Sequence, residues 1–115
     1  MITPEKVETR LYELSKEIDV VHDDLVKAEQ VYHRMKAVFE ITIAQHRLTI
    51  GVSNMKLRVG DVADRALVAS EKEYIELQTA EALVKAARGN AARVRVQVDI
   101  TRSIGTSVRA SMEAL

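Results

Sequence analysis

Hydrophobic residues recur along the first third of the chain in a single alternation of four- and three-residue steps. Val7, Leu11, Leu14, Ile18, Val21, Leu25, Ala28, Tyr32, Met35 and Phe39 make up the series, with polar residues between them. Such steps keep side chains on one face of an α-helix, and their strict alternation is the a/d pattern of a coiled coil. Leu11, Ile18, Leu25, Tyr32 and Phe39 take one seam position; Val7, Leu14, Val21, Ala28 and Met35 take the other. Thr3-Pro4-Glu5-Lys6 marks the start. A threonine there can cap, proline suits a first turn that needs no N–H from it, and glutamate favours the positive end of the helix dipole. A first helix is predicted over 4–47.

The polar interruptions then fade. Residues 48–60 combine β-branched side chains, Gly51, Gly60 and a Ser53-Asn54 pair, which predicts a connecting loop, with a small β-hairpin turning at Ser53-Asn54 as the alternative. Asp61 reads as the cap of a second helix over 61–112, with Asp64 in its first turn. The second seam runs Leu77, Ala80, Val84, Ala87, Ala91, Val94 and Val98. Ala63, Leu67, Ser70 and Tyr74 keep similar spacing upstream, but the phase slips at Leu77–Ala80, which reads as a local shift in winding. Gly89 lies mid-helix, where glycine costs about 1 kcal/mol relative to alanine. It and Gly105 are the two places where a kink is expected.

Helices of about forty residues would each span roughly 60 Å. A short connection makes them antiparallel neighbours. The expected fold is therefore all-α: a long antiparallel two-helix coiled-coil hairpin forming one domain over 1–115. Val20, Val31, Val38, Ile41 and Ile43 on the first helix widen the apolar face beyond one seam, as do Leu83, Val96, Ile100 and Ile104 on the second. That surplus predicts self-association, with a dimer forming a four-helix bundle.

Composition agrees with long helices: 47% of residues are hydrophobic but only 3% aromatic, with one proline and four glycines. The absence of cysteine excludes disulfides, thiolate metal sites and cysteine nucleophiles. The opening Met-Ile-Thr-Pro-Glu-Lys lacks the basic start and apolar run of a signal peptide, and no apolar stretch approaches membrane-spanning length. A cytoplasmic protein with no membrane association is expected.

Net charge is zero, yet the charges are polarised. Residues 1–30 hold eight acidic and four basic side chains, whereas 85–115 hold six basic and two acidic. An antiparallel hairpin would lay these segments side by side. Arg88, Arg95, Arg102 and Arg109 repeat every seven residues and form one stripe beside the second seam. Such a row can cover the seam with its stems and pair with Glu8, Glu17, Asp24 or Glu29. It can also serve as a docking strip for an acidic partner or for nucleic acid. Seven helical residues advance about 10.5 Å, a poor match to successive phosphates, and no aromatic residues interleave to stack bases.

Enzymatic features do not emerge. His22, His33 and His46 are too widely spaced to form a metal pair on one helical face. Gly51 and Gly60 lack the lysine of a phosphate loop. Glu71, Glu73 and Glu76 read as a solvated face. No catalytic residue, metal or cofactor is expected.

The segment Asp99-Ile100-Thr101-Arg102-Ser103-Ile104-Gly105-Thr106-Ser107-Val108-Arg109 carries the form Asp-Ile-x-Arg-Ser-x-Gly-x-Ser-x-Arg. In this the C-terminal half resembles a group of small helical proteins of tailed bacteriophages. The resemblance implies a place among genes of recombination and single-strand DNA handling, hence an accessory role in the host cytoplasm. It makes Arg102, Ser103, Ser107 and Arg109 the candidate contact residues, to which the stripe adds Arg88 and Arg95. The expected function is a non-enzymatic, homo-oligomeric coiled-coil scaffold in phage DNA metabolism. Direct single-strand nucleic-acid binding, or capture of a host protein, are the alternatives.

Overall fold

The structure, a computed structural model, describes residues 1–114. Among them all regular structure is helical: α1 (Pro4–Ser53), α2 (Val59–Ala69) and α3 (Glu71–Glu113).

The entry to α1 follows the sequence pattern. Thr3 Oγ1 accepts the Lys6 backbone N–H at 3.3 Å, and its carbonyl accepts that of Val7 at 3.1 Å. The exit lies further on than expected. Residues 48–53 continue the helix, and no strand occurs among the described residues. Ile43 is buried, and His46 and Ile50 are half-buried on the same helical face, so α1 keeps a packed side here. Extending an existing helix adds one hydrogen bond per residue fixed, and β-branched residues cost only a few tenths of a kcal/mol each. The connection shrinks to 54–58, with the Leu57 N–H donating to the Asn54 carbonyl at 3.0 Å.

What was expected as one second helix is two. Helix α2 begins at Val59, not at a capping Asp61; its N-cap is Arg58, in extended conformation and without a side-chain cap. Asp61 sits instead in the first turn, where its carboxylate still complements the helix dipole. The interruption falls at Ser70, not at Gly89 or Gly105. Ser70 is fully buried, its Oγ donates to the Ala66 carbonyl at 2.8 Å, and its N–H is shared between Ala66 and Leu67. The seam spacing runs in phase through Leu67, Ser70 and Tyr74, so this one-residue break left no trace in it; the slip at Leu77–Ala80 lies inside unbroken α3.

Helix α3 runs unbroken through both glycines. A Cβ at Gly89 would meet nothing within 4 Å. Gly89→Ala is therefore expected to raise stability by about 1 kcal/mol through helix propensity alone. A thermal melt checks this, and a lowered midpoint would mean that the position is not open.

The contacts divide into two compact units. One joins Met1–Val26 to α3 from Lys85 onward. In it the helices pair antiparallel: Val7 faces Gly105, while Leu14 clusters with Val94 and Val98, with Leu11 and Val21 packed against them. The other unit is Lys27–Val84. Ile43, Ala66, Ser70, Ala80 and Val84 are buried in it, and the Phe39 and Tyr74 rings lie 5.8 Å apart at 58°. The core of the second unit is thin, because alanine supplies two of its four buried hydrophobic side chains.

Candidate interaction surface

Two grooves of the first unit are lined by α3. The larger, about 870 Å³, is lined on one side by Met1, Ile2, Thr3 and Pro4 and on the other by α3 residues from Asp99 to Met112. Ile100, Ile104, Val108 and Met112 make the α3 wall apolar, with Ser103, Ser107 and Ser111 between them. The opposite lip is tied down locally, since Lys6 Nζ donates to the Met1 carbonyl at 2.9 Å. The smaller cleft, about 310 Å³, lies between α1 and α3. Ile18, Val21, Leu25 and Val98 form its floor; His22, Asp99, Arg95 and Arg102 form its polar rim.

The six candidate contact residues therefore separate. Ser103 and Ser107 line the large groove; Arg95 and Arg102 border the small one. Arg109 lies exposed outside both, and Arg88 is exposed but partnered. Arg88 and Arg109 stand about 31 Å apart along α3 at 1.5 Å per residue, too far for one compact site. Arg95 and Arg102 thus border a cleft whose floor is made of seam residues. The ion pairs that the geometry places within α1 involve Arg10, to Glu13 at 3.2 Å and to Glu17 at 3.5 Å. Both are solvated, so they contribute little to stability.

Met1, Ile2, Val108 and Met112 were not singled out in the sequence. A signal for Ile2 was present: an apolar residue directly ahead of the Thr3 cap is where a hydrophobic staple is seated.

Apolar exposure extends well beyond these grooves. Among the described residues nine hydrophobic side chains are buried, three of them alanines, while 22 large ones are exposed. The accessible surface is 8687 Å² for a 12.9 kDa chain. A compact monomer of that mass exposes about 6,300 Å². The excess, about 2,400 Å², is larger than one side of a standard protein–protein interface.

Among the described residues no three of His, Cys, Asp and Glu converge to hold a metal, and no helix is long and apolar enough to cross a membrane. No protein-family model, curated protein or solved structure matches the chain.

Proposed function

We infer that the protein is a non-catalytic assembly protein: a coiled-coil hairpin whose working form is an oligomer, with a dimeric four-helix bundle as its simplest state. The observation that carries this reading is the surplus of accessible surface, with 22 large hydrophobic side chains left exposed. Burying that surface in a second chain supplies the core that a single chain lacks. The Asp99–Arg109 segment, by its resemblance to phage helical proteins, supports an accessory scaffolding role in phage DNA metabolism, in the bacterial cytoplasm.

Light scattering at micromolar concentration is expected to return at least twice the 12.9 kDa chain mass. The thermal midpoint should rise with protein concentration, as it does when folding and association are linked. A monomer with a concentration-independent midpoint would refute the reading. Binding to single-stranded oligonucleotides that weakens with salt, and is lost in Arg102→Glu and Arg109→Glu, would replace scaffolding by direct nucleic-acid recognition.

A further inference from the structure

In the second unit, α1 carries an outer row of side chains beside its packed face. Val31, Arg34, Val38, Ile41, Gln45, Leu48 and Val52 follow one another in alternating steps of three and four, and all seven are exposed. Five of the seven are large hydrophobic residues, and their exposure climbs along the helix, from 38% at Val31 through 59% at Ile41 to 78% at Val52. Through Gln45, each stands one residue ahead of a half-buried position (Tyr32, Met35, Phe39, Thr42 and His46). The row therefore lies about 100° around the helix from the side that packs. It runs for about 31 Å, the length over which a second helix could keep register with it.

Charge around the row has one sign. Between Gln30 and Gly60 five basic side chains, Arg34, Lys36, Arg47, Lys56 and Arg58, stand against one acidic side chain, Glu40. Among the described residues none of the five is ion-paired. Arg34 stands within the row and Lys56 four residues beyond Val52, so its two ends are both cationic. One edge is low: Ala37, Ala44 and Gly51 directly precede Val38, Gln45 and Val52, and a Cβ at Gly51 would meet nothing within 4 Å.

We propose that this row is the docking face for an acidic amphipathic helix of a partner protein. Spacing and charge each narrow the occupant. Alternating three- and four-residue steps keep a row facing a neighbouring helix along its length. A lipid surface requires only an apolar side and imposes no such spacing. The same row of a second copy would bring basic charge against basic charge, whereas an acidic helix supplies the carboxylates that Arg34 and Lys56 lack. The low edge lets its backbone come close. This surface goes beyond the self-assembly reading and does not depend on the chain being an oligomer.

The chain contains no tryptophan, so Leu48→Trp places a single fluorescent reporter in the row. The probe is a synthetic amphipathic helix with leucine and isoleucine at its a and d positions and glutamate at e and g; a twin carries lysine at e and g. The glutamate peptide is expected to move the reporter's emission to shorter wavelength, less strongly as salt rises, and the lysine twin to leave it unchanged. Arg34→Glu combined with Lys56→Glu should weaken binding about tenfold. Ile41→Asp should abolish it, with helix content retained by circular dichroism. No shift with the glutamate peptide, or an equal shift with its lysine twin, would overturn the proposal. So would a reporter whose emission shifts with protein concentration alone, which would give this face to a second copy. A shift produced by vesicles of anionic phospholipid and not by the peptide would overturn it in favour of lipid. A monomer by light scattering that still binds the glutamate peptide would remove self-assembly and leave this surface standing.

Discussion

Leu14→Ala is expected to cost about 3–4 kcal/mol, the range for truncating a fully enclosed leucine whose surroundings cannot close over the gap. Leu14 is the only large hydrophobic side chain with no exposure at all among the described residues. Its cluster partners are Val94 and Val98 on α3, with Leu11 and Val21 packed against it from its own helix. Three of these four are valines, stiff at χ1 and short, so they reach poorly into a vacated space. The core offers little redundancy, and a loss of this size is a large share of the total stability of about 5–15 kcal/mol expected of a domain. Ile18→Ala, at a seam position that is 41% exposed, should cost less than half as much. Urea unfolding at unchanged slope separates the two. A cost below about 1 kcal/mol for Leu14 would mean that the helices do not meet there.

The alternation of fours and threes carried most of the helical pairing. Of the ten α1 seam residues, Val7 and Leu14 are buried, and all the rest but Ile18 are half-buried. Every α3 seam residue from Leu77 to Val98 is likewise buried or half-buried. Periodicity is legible because it is a property of one face repeated many times. Helix ends are less so, since they rest on single residues. Asp61 has the chemistry of a cap, but the chain turns into helix three residues earlier, and Arg58 occupies the cap without contributing a side-chain bond. Residues 48–53 looked unsuited to a helix by composition, yet cooperativity and the packed face at Ile43, His46 and Ile50 hold them in one.

The break at Ser70 was not legible in the spacing, which continues in phase through Leu67, Ser70 and Tyr74 and slips only at Leu77–Ala80, inside α3. Serine is not a strong breaker; what distinguishes it here is that it is small enough to be fully buried and can return its hydroxyl to Ala66. The site residues fared differently again. A heptad of arginines looks like one functional row, but on a helix it distributes over about 31 Å, and only Arg95 and Arg102 border a common cleft. The large groove has Met1 and Ile2 on one wall and α3 on the other, a juxtaposition of distant segments that no local pattern encodes.

Gly89 and Gly105 look alike in sequence, and the structure predicts opposite outcomes for them. Both are helical, and neither has a positive φ, so neither is glycine for conformational reasons. At Gly105, however, an added Cβ would stand 2.9 Å from Val7 Cγ1, and Val7 is itself buried at 5% exposure. Glycine is there to let α1 and α3 approach. Gly105→Ala gains about 1 kcal/mol of helix propensity but must displace a short β-branched side chain that strongly prefers one χ1 rotamer in a helix. Overpacking of this kind costs about 1–3 kcal/mol, so a net loss is expected. Gly105→Leu carries far more volume into the same contact and should cost on the order of 3 kcal/mol or more. Removing the obstructing methyl tests the cause: in a Val7→Ala background, Gly105→Ala should lose its penalty. A double-mutant cycle between the two should return coupling of about 1 kcal/mol or more. If Gly105→Ala stabilises as much as Gly89→Ala, the close approach of Val7 and Gly105 is wrong, and with it the register that pairs α1 with α3 in this unit.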